Sequence, residues 1–192
     1  MYNHSEKKQV QYSLEHLSRG LFYHLKFKKF EEITVTDICR RAQISRRTFY
    51  RNCASKEDLF LYSTDRLVFE LLKLEDLRMT DSVRLYTGFF RYWEKHKVFL
   101  DILLRNALFD MFLNEFIVVC NDALRYPLQE KSLERAGDRE LSRRYSNAYM
   151  IGGLGQMLKA WTEEGFASSV EEIVSSVQFL VPSVPADIAK GK

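Results

Sequence analysis

Ile33 to Phe60 reads ITVTDICRRAQISRRTFYRNCASKEDLF, and three helix starts are written into it. Thr34 precedes an apolar-periodic run and Asp37 stands three residues on, the spacing at which a hydroxyl and a carboxylate cap a helix end reciprocally. Val35, Ile38, Cys39 and Ala42 then recur on one face of a short helix. Gln43-Ile44 makes a turn, Ser45 is a good N-cap for a helix from Arg46 to about Asn52, and Ser55 to Asp58 repeats the capping signature. Two short helices joined by a turn of a few residues form a helix-turn-helix.

That arrangement says which side chains meet DNA. Phe49 and Ile44 face inward, which leaves Arg46, Arg47, Thr48 and Tyr50 at the exposed N-terminal end of the second helix. A recognition helix reads base edges from that end, and the arginine fork reaches O6 and N7 of guanine together. Tyr50 can donate to a phosphate. Lys56 lies in the first turn of the next helix, where backbone N–H groups and the helix dipole also attract phosphate.

Upstream, Val10, Leu14, Leu17, Leu21 and Leu25 make one apolar stripe on a helix spanning roughly Glu6 to Lys28. Downstream, helical spacing continues near 82–95, 97–105, 107–125, 138–164 and 170–181; Gly165 stops the long helix, and Ser169 with Glu172 caps the last. Only 3 Pro and 8 Gly in 192 residues leave few helix breakers, so the expected fold is all-α. Residues 1–60 carry 12 Lys/Arg against 7 Asp/Glu and the remainder 17 against 19, a basic head on a slightly acidic body. The expected division is a DNA-binding head at 1–60, a helical regulatory and dimerisation domain at 61–182, and a frayed tail at 183–192. No apolar run is long enough to span a membrane and the N-terminus is polar, so a cytoplasmic protein is expected.

The Ile33–Phe60 stretch resembles the DNA-binding domain of the TetR/AcrR regulators, which commonly reads T-V-x-x-I-A-x-x-A-G-V-S-x-x-T-F-Y-x-H-F-x-S-K-E-x-L. Thr34, Val35, Ile38, Ala42, Ser45, Thr48, Phe49, Tyr50, Ser55, Lys56, Glu57 and Leu59 fall in register. The wording ITV and RRTFY is similar to the branch of dihydroxyacetone-kinase-operon regulators. The resemblance implies that Thr36, Arg46, Arg47 and Thr48 face bases, and that Tyr50, Asn52 and Lys56, beside the capping Thr34, hold the backbone. It also implies a bacterial homodimer, usually a repressor, with a C-terminal helical ligand-binding and dimerisation domain. Two departures stand out. Gln43 replaces the usual turn glycine, a position that either avoids positive φ or carries strain. Asn52-Cys53 replaces His-Phe, which removes an aromatic ring from beneath the recognition helix.

Cys39, Cys53 and Cys120 show no zinc spacing and read as small buried hydrophobes; His4, His16, His24 and His96 form no cluster. No nucleophile or acid–base motif is present, so neither an enzyme nor a cofactor or metal is expected. Aromatics of the body either fill the core or line an effector pocket, for which Phe89, Trp93, Phe112, Phe116 and Tyr149 are the candidates, with Arg105 for an anionic ligand. Gly152, Gly153 and Gly155 interrupt the long helix and suggest close approach of another backbone. With the resemblance, this places Gly152, Gly153, Leu154, Met157, Leu158, Trp161, Ile173, Val177 and Leu180 in a four-helix dimer interface. The expected partners are double-stranded DNA, a second copy and a small-molecule effector, with no membrane. The alternative is a regulator whose signal is a protein partner, which a dry, filled body would favour. A third class, an all-α enzyme or scaffold, is disfavoured by the basic head and the Arg46–Lys56 constellation.

Overall fold

The protein is described by a computed structural model over residues 8–78, 81–125 and 136–177. Leu180 and the tail at 183–192 lie outside the described residues. Helix α1 (Lys8–Leu25) forms on the expected stripe, and Val10, Leu14, Leu17, Leu21 and Leu25 are all buried. Gly20 lets α1 approach its neighbour, since a Cβ there would stand 2.9 Å from the Ile38 carbonyl oxygen. A 3₁₀ turn at Phe30–Glu32 leads into α2 (Val35–Ala42).

The capping box at its start is complete. The Thr34 hydroxyl accepts from the Asp37 N–H (3.1 Å) and the Asp37 carboxylate accepts from the Thr34 N–H (3.2 Å). The Thr34 bonds hold the Asp37 carboxyl below its ordinary range. Helix α3 (Arg46–Asn52) starts where the Ser45 hydroxyl accepts from the Thr48 N–H at 3.1 Å. Helix α4 (Lys56–Leu72) is capped by Ser55. It packs on α1 and on the helix that spans Phe109–Arg125, so the division expected at residue 60 falls inside a continuous helix.

The body comprises α5 (Ser82–Glu94), α6 (Lys97–Arg105), α7 (Phe109–Arg125), α8 (Ala136–Glu163) and α9 (Val170–Val177). Helix α7 packs on α8, α6 touches both, and α5 lies against α9. The fold is all-α, with no strand among the described residues. Gly155 sits where α8 meets α7, with Leu113 Cδ2 3.0 Å from where its Cβ would be. Gly165, at φ 65°, ends the α8 region, and the Ser169–Glu172 box caps α9 through bonds of 2.7 and 3.2 Å. No described helix is long and apolar enough to cross a membrane.

Head and body meet at the end of α1. The Asn106 side chain donates from Nδ2 to the Leu25 carbonyl (3.3 Å), and the Lys29 ammonium donates to the Arg105 carbonyl (2.6 Å). Nearby the Phe22 and Phe99 rings lie 5.3 Å apart. These contacts tie the first helix of the head to the turn between α6 and α7.

Candidate nucleic-acid interface

The anchor of α3 is Phe49, fully buried, with Ile38 and Leu59 also buried in the head. With that face committed, Arg46 and Arg47 are exposed at the N-terminal end of the helix, beside Tyr50, which is half exposed. The Tyr50 ring meets Phe49 edge-on at 5.3 Å and lies 5.9 Å from the Arg46 guanidinium carbon, so packing limits where its hydroxyl can go. Thr48 is half-buried, and its hydroxyl lies 3.0 Å from that of Ser45. Thr36 is exposed on α2. Arg40, also exposed, lies one turn beyond it on the same face. Sequence reasoning passed over Arg40, although its i+4 spacing from Thr36 was there to be read.

Three residues expected at the DNA are engaged elsewhere. Thr34 is committed to its cap, its hydroxyl donating to Asp37 Oδ2 at 2.8 Å. Asn52 is 2% exposed, because the last turn of α3 folds against the head where the pattern's aromatic pair would stand. Lys56 turns back: its ammonium donates to the carbonyls of Phe30 (2.6 Å), Ile33 (3.0 Å) and Glu31 (3.2 Å) and stands 4.6 Å from the Phe30 ring centre. The carbonyls of the 3₁₀ turn and of Ile33 at its end converge there, and the ammonium has three protons to donate to them. Gln43 adopts φ 55° and ψ 36°, so the turn keeps the left-handed geometry that glycine usually supplies. Cys53 is buried, and desolvation pushes its thiol up to about 12, as it does for Cys120. Both are held as thiols at neutral pH.

The expected effector pocket is divided. Phe89, Trp93, Phe112 and Phe116 are each 2% exposed or less and fill one another's space, with ring centres 5.3 Å apart for Trp93–Phe112 and 6.1 Å for Phe89–Phe116. Among the described residues the Trp93 indole Nε1 has no acceptor. Tyr149 and Arg105 lie apart from that cluster. Tyr149 is exposed on α8, and Arg105 is exposed and paired with Asp101 (2.8 Å) one turn back.

The expected dimer residues also divide. Leu154, Leu158 and Trp161 belong to the protomer core, where Trp161 meets Phe90 at 5.6 Å and donates to the Ser168 carbonyl at 2.8 Å. Amphipathic spacing could not tell an inward face from an intermolecular one. Gly152 and Gly153 have nothing within 4 Å of where a Cβ would be, and Met157, Ile173 and Val177 are half-buried. Gly155 serves the α7–α8 contact instead.

Residues 28–62 match the family model for bacterial regulatory proteins of the tetR family. No curated protein matches the chain. Among solved structures, a TetR transcriptional regulator from Streptococcus agalactiae 2603V is similar at 19% identity with a TM-score of 0.58, covering 92% of this chain and 97% of that one. The fatty acid degradation regulator FadR from Bacillus halodurans follows at 17% identity and TM-score 0.52 (94% and 98% covered). The dihydroxyacetone kinase operon activator DhaS matches at 16% and 0.50 (88% and 93% covered). At these identities the likeness shows a shared fold. Residues 28–62 are thus similar to the tetR family of bacterial regulatory proteins, and they sit on an all-helical body that shares the overall fold of the solved regulators.

Proposed function

We propose that this protein regulates transcription by binding a pseudo-palindromic operator as a homodimer, with Arg46, Arg47, Thr36 and Thr48 at the bases and Tyr50 at the backbone. The observation that carries the reading is the exposed arginine pair at the start of α3, on a helix whose other face is locked by buried Phe49. A twofold protein reads a site with the same symmetry. Selection from random duplexes followed by footprinting should return two related half-sites with centres about one helical turn, or a multiple, apart. A single asymmetric site protected by a monomer refutes it.

The dimer face in this reading is the outer strip of α8 and α9: Gly152, Gly153, Met157, Ile173 and Val177, with Leu154, Leu158 and Trp161 supporting it from behind. Gly153→Leu fills space that is open in the protomer. It should therefore leave the fold intact while sedimentation shows monomers. An unchanged dimer places the interface elsewhere.

The body core favours a protein partner over a small molecule as the signal, because the rings expected to line a pocket pack against each other. A small molecule would have to displace Trp93 from that cluster. Tryptophan emission should therefore stay constant across a metabolite panel. A metabolite that shifts it and also lowers operator affinity restores the small-molecule reading.

A further inference from the structure

On the flank of the head, α1 and α2 enclose an open cleft of about 510 Å³ lined by His16, Arg19, Gly20, Phe22, Tyr23, Lys26, Arg41 and Ala42. Two arginines, a lysine and a histidine share it, and among the described residues no Asp or Glu lines it. His16, Arg19 and Tyr23 follow one another at spacings of three and four, which puts them on one face of α1, and Lys26 lies in the turn just past its end. From α2, Arg41 reaches across so that its guanidinium carbon stands 4.0 Å from the centre of the Tyr23 ring. Gly20 and Ala42, both buried, form the floor where the two helices close on each other. Among the described residues, none of Arg19, Lys26 and Arg41 makes an ion pair, whereas Arg66, Arg84, Arg91 and Arg105 each do.

Like charges gathered in a concave surface repel one another, and such a surface focuses its field on an incoming counter-charge. Stacking on Tyr23 restrains the Arg41 fork, which costs it less freedom when it accepts a planar or tetrahedral anion. We propose that this α1–α2 cleft is a phosphate-binding site on the side of the head, separate from the recognition surface, with Arg41, Arg19 and Lys26 as its ligands. Two sources carry that chemistry: the DNA backbone outside the half-site, and a soluble phosphate ester. The first source rests on the DNA-binding function proposed above, and the second does not.

The test uses the full-length protein and the triple variant Arg19→Gln, Lys26→Gln, Arg41→Gln. Arg41→Lys keeps the charge, and Arg46→Gln with Arg47→Gln controls for binding at the recognition helix. Calorimetric titration with pyrophosphate at low salt should show binding to the wild type and the Arg46/Arg47 variant. It should weaken by about tenfold or more in the triple variant, the loss expected for one or more charge-assisted hydrogen bonds. Operator affinity is then measured against salt. A slope shallower by about 0.9 for each phosphate no longer neutralised, with base preference kept, assigns the cleft to the DNA backbone. An unchanged slope together with loss of pyrophosphate binding assigns it to a soluble ester. The inference is overturned if the triple variant, folded by circular dichroism, keeps both pyrophosphate affinity and salt slope. Failure of the DNA reading appears separately, as loss of operator selectivity in the wild type.

Discussion

Lys56→Met separates two roles for one lysine. The ammonium donates to three carbonyls at 2.6, 3.0 and 3.2 Å, on a side chain that is half-buried at the start of α4. Methionine keeps most of the apolar stem and removes both the donors and the charge beside the Phe30 ring. A hydrogen bond to a charged group contributes about 1.5–3 kcal/mol net. The three share one ammonium, and Glu31 is exposed, so water can replace its bond. The sum is therefore well below three times that value, and about 2–3 kcal/mol is the expected loss of stability. With a urea slope of about 2 kcal/mol per molar, the unfolding midpoint should fall by roughly 1 M. The salt slope of operator binding, measured under conditions where the variant is folded, should stay as in the wild type. If instead stability changes by less than about 0.5 kcal/mol and the slope becomes shallower by about 0.9, Lys56 holds a phosphate and the clamp is wrong.

Arg47→Ala should cost about 1–3 kcal/mol on the selected operator and relax preference at particular base pairs, measured by competition between cognate and random duplexes. Equal losses on both would move Arg47 to the backbone. Gln43→Gly should stabilise the head by about 0.5–1 kcal/mol in urea unfolding, since relief at φ 55° exceeds the freedom glycine adds to the unfolded chain; a loss of stability would show that the glutamine side chain matters there. Glu115 on α7 is hydrogen-bonded to Asp65 of α4, and burial, that bond and the charges of Asp65 and Asp122 raise its carboxyl from 4.5 to about 7. The folded chain thus keeps a proton that the unfolded chain releases, a contribution present below pH 4.5 and lost as pH rises through 7. Unfolding curves of Glu115→Gln should therefore lack that decline, and an identical pH profile would remove Glu115 as its source.

The helices of the head were legible because their start signals and apolar stripes are local. A cap is a hydroxyl and a carboxylate three positions apart, and Thr34–Asp37 and Ser169–Glu172 pair as their spacing requires. The stripe of α1 and the exposed start of α3 follow from helical period in the same way. What the chain does at a distance was not legible. Lys56 looked like a phosphate ligand because nothing in its neighbourhood of sequence announces the Phe30, Glu31 and Ile33 carbonyls that the fold brings to it. Trp161 and Leu158 looked like interface because an apolar face has the same period whether it meets α5 or a second copy. The aromatics of the body could have lined a pocket or filled a core, and only packing decided which. Sequence determined where each helix begins and which of its faces is apolar, since those depend on neighbours within a turn or two. Tertiary structure decided what each face and each cation touches, since hydrogen bonding and close packing act over a few ångströms between residues far apart in the chain.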